Sequence, residues 1–87
     1  LAQGKQLTLG ILRKKSPWVD KPLRAGYVAE RSGETTLIAI LREGQIIVPH
    51  RETILHAGDR LLMIASPEAQ ERLKQHLAPL SSEPASP

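Results

Sequence analysis

Leu7, Leu9 and Ile11 alternate with Gln6, Thr8 and Gly10 in "QLTLGIL". A period of two predicts a half-buried strand. "RKKSPWVDKP" follows, and its charges and two prolines read as a loop. Asp20 is placed to cap a short helix over "PLRAGYVAE", with Pro22 in its first turn and Leu23 and Tyr27 on one face. "RSGE" ends that helix. "TTLIAILR" is almost continuously apolar and predicts a central strand buried on both faces. Glu43–Gly44 reads as a tight turn and "QIIV" as the returning strand, which Pro49 terminates because it has no N–H to give a ladder. After a second turn at "HAGDR", "RLLMIA" is the last strand. Ser66 and Pro67 are N-cap and first-turn residues, and Ala69, Leu73 and Leu77 form an apolar stripe on a helix running to Ala78. Pro79 stops it. The order is strand, loop or short helix, three strands, helix. Short connections between the last three strands predict an antiparallel meander, with the terminal helix over one face. The fold class is a small α+β domain over residues 7–78. Residues 1–6 read as a linker from an upstream region of a longer chain, and the Pro/Ser-rich 79–87 as a disordered tail.

Composition narrows the function. Trp18 and Tyr27 are the sole aromatics among 87 residues, so the core is aliphatic, of a kind often completed by a partner subunit or neighbouring domain. With no cysteine, disulfides and thiolate metal sites are excluded. No apolar run approaches a membrane span. The net charge of +3 is uneven: residues 1–31 hold seven basic and two acidic groups, residues 32–87 five and seven. Arg13, Lys14 and Lys15 form the densest basic run, but nucleic-acid recognition also calls for interleaved aromatics, which this chain does not supply. A solvated basic loop is the simpler reading of "RKK", and a nucleic-acid-binding fragment the weaker alternative.

Chemistry-bearing residues are sparse. His50, Glu52 and His56 are the only near neighbours with metal-ligand chemistry, whereas a zinc site needs three or four converging ligands. Ser16, Ser32 and Ser66 sit at turns or caps with no nucleophile-elbow sequence around them. Asp59 after Gly58 reads as a turn residue bonding its own backbone. Neither a G-x-G-x-x-G nor a Walker loop is present to cradle phosphate. No catalytic residue, metal ligand or cofactor is therefore assigned.

The stretch "GETTLIAILREGQIIVPHRETILHAGDRLLMIASPEAQERL" resembles the RCK C-terminal domain, also called TrkA-C. The resemblance rests on an ordered series: an apolar strand ending "AI-R", then "IIVP", then "L-AGDRL" with an aliphatic strand, then a helix opening at "PEA". Upstream, "SPWVDKPL" is similar to the family's Ser-x-x-x-Gly-Lys-x-Leu segment, with Asp20 where glycine is usual. The resemblance implies a non-catalytic, cytoplasmic sensor and dimerisation module at the inner membrane face. Its implied partners are a second copy, an upstream Rossmann-like RCK N-terminal domain and a potassium or other cation transporter. It further implies a small ligand, cyclic di-AMP in some members, in a cleft at the dimer interface. Val28, Thr35 and Thr36 on one side and Pro49 with His50 on the other match the positions that line that cleft. The arginine that often follows the aliphatic residue of the short helix is here Ala29. Arg31 is its nearest substitute, though two helical positions turn a side chain by about 200°. A purely structural dimerisation module without its own ligand is the alternative.

Overall fold

A computed structural model describes residues 4–26 and 35–80. Its elements are β1 (Gln6–Leu12), α1 (Leu23–Gly26), β2 (Thr35–Arg42), β3 (Gln45–Ile47), β4 (Arg60–Ala65), α2 (Pro67–Leu73) and β5 (Leu77–Pro79). The strands form one antiparallel sheet in the order β3-β2-β4-β1-β5. The α+β class and the bounds of β1, β2 and β4 agree with the periodicity. Glu43 (φ 48°) and Gly44 (φ 77°) turn β2 into β3. Two successive positive φ values give the hairpin turn whose twist matches the strands.

The order inside the sheet departs from a simple meander. β4 lies beside β2 rather than β3. β3 is short, and residues 48–59 are too long a connection for a hairpin turn, so the chain passes β3 before re-entering the sheet. β4 then takes the centre, where Leu61, Met63 and Ala65 are fully buried. α2 starts as expected, with Ser66 Oγ accepting from Ala69 N–H and Pro67 in the first turn. It ends earlier than the apolar stripe suggests. Lys74, Gln75 and His76 N–H donate to carbonyls three residues back, tightening the chain out of the helix. Leu77 keeps its place in the core, but from a strand that pairs with β1.

Among the described residues, one face of the sheet is covered and the other is not. α2 and the loop carrying Trp18 cover the first, where Leu12, Trp18, Ile40, Leu55, Leu61, Met63 and Leu77 form the core with Ala69 and Leu73. This reverses the expected phase of β1. Gly10 and Leu12 point inward, while Leu7 is 62% exposed and Leu9 is also exposed. The expectation that β2 is buried on both faces is likewise corrected: Thr36 and Ile38 are exposed, because none of the described residues forms a layer over that side.

Gly10 explains the phase of β1. A Cβ built there would stand 2.8 Å from Leu77 Cβ and 3.2 Å from the Ala78 carbonyl oxygen. Only a residue without a side chain lets β5 sit this close. Gly10→Ala is therefore expected to push β5 away and cost about 1–3 kcal/mol, read in a urea titration.

Candidate functional site

A cleft of about 320 Å³ opens where α1, the start of β2 and the segment after β3 meet. Its lining is Leu23, Arg24, Thr35, Thr36, Leu37, Pro49, His50 and Arg51. Of the six residues singled out in the sequence, the structure brings Thr35, Thr36, Pro49 and His50 together here. Val28 and Arg31 lie outside the described residues, as do Tyr27 and Ala29.

The walls are held by backbone bonds across the gap. α1 is one turn long, and its first N–H groups have no partner within the helix. Leu23 N–H donates to the Thr53 carbonyl (2.9 Å) and Arg24 N–H to the Arg51 carbonyl (2.9 Å), docking α1 on the 50–53 turn. Pro22 and Ile54 form a bridge beside them. Within the turn, Thr53 N–H donates to the His50 carbonyl, and Thr53 Oγ1 accepts from His50 N–H at 3.0 Å.

This turn also sets the chemistry of His50. Its Nδ1 accepts from Glu52 N–H at 3.2 Å. In the neutral ring the proton then resides on Nε2, leaving that nitrogen as a donor. Arg24 Nε donates to both carboxylate oxygens of Glu52, at 3.0 and 3.1 Å. Both partners are exposed, so the pair contributes about 0–1 kcal/mol. Thr35 is buried and Thr36 exposed, as successive residues of a strand should be. The cleft thus combines an apolar floor of Leu23, Leu37 and Pro49 with hydroxyl, imidazole and guanidinium groups at its rim.

Sequence reading missed Leu23, Arg24, Leu37 and Arg51. Arg51 adjoins His50, but nothing local tells that α1 docks on the 50–53 turn.

Two other clusters join residues distant in sequence. Ser16 Oγ lies 2.7 Å from His76 Nδ1 and accepts from Trp18 N–H at 3.1 Å, while the His76 ring stacks on Trp18 at 3.8 Å and 2°. Burial holds the His76 pKa below its ordinary value. Ser16 is buried and lines neither described cavity, so this Ser–His contact pins a loop and presents no accessible nucleophile. In the second cluster Arg42 grips Asp59 with two bonds of 2.8 Å, and Asp59 Oδ2 also accepts from His56 N–H at 2.8 Å. Asp59 does bond its own turn as expected, and the ion pair is added by the fold. Among the described residues no group of three His, Cys, Asp or Glu side chains could hold a metal ion.

Comparison with known proteins adds a lineage to this geometry. The sequence profile of the TrkA-C domain matches residues 11–78. The Trk system potassium uptake protein TrkA of Mycobacterium tuberculosis is 37% identical over 68 residues, covering 78% of this chain and 30% of that protein. The chain thus spans about a third of the length of the curated relatives it matches. An RCK domain solved with cda is 29% identical, with a TM-score of 0.65 over 87% of this chain and 100% of the other. The RCK_C domain dimer of S. agalactiae BusR in complex with c-di-AMP superposes with a TM-score of 0.69 over 79% of this chain and 91% of the other. At 24% identity it speaks to the fold alone.

Proposed function

The chain belongs to the TrkA-C domain family, and from that premise we propose that it is the ligand-sensing and dimerisation module of a potassium transport system. It acts on the cytoplasmic side of the membrane, joined to an upstream Rossmann-like domain or to the transporter. What carries the reading is the cleft: Thr35, Thr36, Pro49 and His50 share one concave site with Arg24 and Arg51. Small-ligand sites combine an apolar lining with a few placed polar groups in this way.

The ligand class follows from those groups. An apolar floor beside Pro49 accepts the flat face of a base. The His50 Nε2–H and the Thr36 hydroxyl are hydrogen-bond donors for oxygen atoms. Arg51 brings positive charge to the rim, with Arg24 beside it on Glu52, and guanidinium groups match phosphate oxygens well. Cyclic di-AMP is the leading ligand, and it accompanies the BusR domain of the same fold. The domain performs no chemistry on it. Ligand favours one arrangement of the dimer, and that difference in affinity is the free energy passed to the transporter.

The test is a thermal-shift and calorimetric titration with cyclic di-AMP, ATP, ADP and NADH. At a hundredfold excess over the dissociation constant a native-state ligand adds about 2.7 kcal/mol. For a domain of this size that raises the midpoint by roughly ten degrees or more. The shift is expected with cyclic di-AMP and is expected to shrink in Thr36→Ala and His50→Ala. No shift with any nucleotide would leave a dimerisation module without a ligand, a reading favoured by the aliphatic sheet face that the described residues leave uncovered.

A further inference from the structure

A second groove, of about 350 Å³, lies where α2 passes β1 and the edge strand β5. It shares no lining residue with the cleft. Its volume falls in the roughly 300–1,000 Å³ range of small-ligand sites.

The two ends of this groove differ in chemistry. Along the first strand it runs from Thr8 past Gly10 to Arg13, roughly 17 Å at 3.4 Å per residue. Gln70 stands at the Thr8 end, and its amide N–H groups are spent on Gln6 Oε1 and the Ala65 carbonyl, both at 3.2 Å. That end is neutral. Leu73 and Leu77, at the margin of the core, line the middle with hydrocarbon. At the far end Arg13 and Lys74 stand together. No carboxylate is part of the lining.

The fold itself places those two cations side by side. Arg13 N–H donates to the His76 carbonyl at 2.8 Å, and Arg13 Nε to the Lys74 carbonyl at 3.2 Å. The Nε bond fixes the plane of the guanidinium, and among the described residues its two Nη groups have no acceptor. Lys74 Nζ reaches Glu71 Oε2 at 2.9 Å, but both side chains are exposed, and such a pair is weak enough to yield to a better acceptor. Lys14 and Lys15 follow in the same exposed turn and add to the positive field.

This arrangement selects a ligand class. A free inorganic anion would use the cations and leave the hydrocarbon wet. An uncharged chain would cover the hydrocarbon and shield the cations from water without replacing it. An aliphatic chain that ends in a phosphate or carboxylate satisfies both ends, and the planar guanidinium fork matches two such oxygens at once.

We propose that the groove between α2 and the β1–β5 edge binds an anionic amphiphile, its head on Arg13 and Lys74 and its chain along Leu73 and Leu77 toward Thr8. The site rests on neither the cleft nor the dimer. A membrane phospholipid and a soluble acyl anion share this chemistry. Either one bears on the turn from Lys74 to Leu77, where the His76 ring stacks on Trp18, so tryptophan emission reports on the groove.

The test titrates the whole chain with octyl phosphate below its critical micelle concentration, followed by calorimetry and Trp18 fluorescence. Saturable one-to-one binding is expected, with inorganic phosphate and octyl glucoside each weaker by about tenfold or more. Lys74→Gln, at an exposed position, is expected to weaken binding by about tenfold. Thr8→Trp fills the neutral end and is expected to abolish it. Circular dichroism verifies both folds, and if Thr8→Trp does not fold, Lys74→Gln and the two control ligands decide. Cosedimentation with phosphatidylglycerol vesicles, against phosphatidylcholine vesicles, separates the sources. Vesicle binding that Lys74→Gln reduces, beside octyl phosphate binding, assigns the groove to a membrane lipid. Octyl phosphate binding without vesicle binding assigns it to a soluble acyl anion. Absence of octyl phosphate binding overturns the proposal, even where vesicles bind, since that is surface charge alone. So does binding that either control ligand equals, or that the variants leave unchanged. Displacement of octyl phosphate by cyclic di-AMP also overturns it, because the amphiphile then sits in the cleft.

Discussion

Trp18→Ala is expected to cost about 3–5 kcal/mol, close to the whole margin of a domain this small. Residues 13–22 contain no helix or long strand, and Trp18 is what anchors them. Its ring is 8% exposed and packs in the main core cluster. One face lies against the His76 imidazole. Around it the loop closes on itself through Ser16 N–H to the Arg13 carbonyl, Val19 N–H to Ser16 and Lys21 N–H to Trp18. Arg13 N–H meets the His76 carbonyl at 2.8 Å and Arg13 Nε the Lys74 carbonyl at 3.2 Å, so the loop also holds the turn leading into β5. Removing the ring leaves a cavity, unstacks His76 and loosens both chain segments. Urea unfolding followed by far-ultraviolet circular dichroism checks the size of the loss, since the only tryptophan is gone. Trp18→Phe is expected to recover part of it. A double-mutant cycle with His76→Ala isolates the stack, expected at about 0.5–1.5 kcal/mol. A loss below 1 kcal/mol in Trp18→Ala would show that the loop is held by its backbone bonds alone.

Asp59→Ala comes second, at about 3 kcal/mol. Asp59 is 2% exposed, and both its oxygens are engaged. The alanine variant leaves the Arg42 guanidinium without its counter-charge, and breaking a buried pair from one side costs about 3–5 kcal/mol. The lower end applies because Arg42 keeps partial contact with water and a bond to the Ile54 carbonyl. The same pair predicts an acid limb of stability. Burial by itself would raise the Asp59 pKa, but the Arg42 fork and the His56 N–H outweigh it and hold the carboxyl below its ordinary value. The unfolded chain then binds this proton more readily than the folded one. The contribution is fully present above the ordinary carboxylate value of about 3.9 and is lost as pH falls through the lower folded value. His76 adds a second, milder limb. Its folded pKa is depressed by burial, so stability falls as pH drops below about 6.5 toward that value. Equilibrium unfolding across pH should resolve two limbs, the more acidic one missing in Asp59→Asn and the milder one in His76→Ala.

The departure at Asp20 acquires a physical meaning in the structure. Asp20 takes a φ of 64°, in the left-handed region that glycine adopts without penalty. Aspartate tolerates it better than most residues, so the loop keeps its shape. The residue therefore makes a turn and does not cap α1, which begins at Leu23.

Four residues of the candidate site came from the family resemblance and not from local pattern. Thr35 and Thr36 open the apolar strand and Pro49–His50 close "QIIV", and these four do share a cleft. Arg24, Arg51, Leu23 and Leu37 were not legible, because their membership depends on two backbone bonds between α1 and the 50–53 turn. Ser16 and His76 are 60 residues apart and met only in three dimensions. The Arg42–Asp59 pair was hidden in the same way.

By itself the sequence determined what is local: where β1, β2 and β4 run, the turn at Glu43–Gly44, the cap at Ser66, the aliphatic core and the family. These follow from side-chain period, backbone φ preference and hydrogen-bond capacity, which act over a few residues. Tertiary structure decided which face of β1 is inside, that β4 skips β3, and that the chain beyond α2 returns as a strand. A period of two names two faces without saying which is covered, and that choice belongs to whatever packs against them. Here α2, Trp18 and the close approach of Leu77 to Gly10 claimed one face, and the described residues leave the other aliphatic and open.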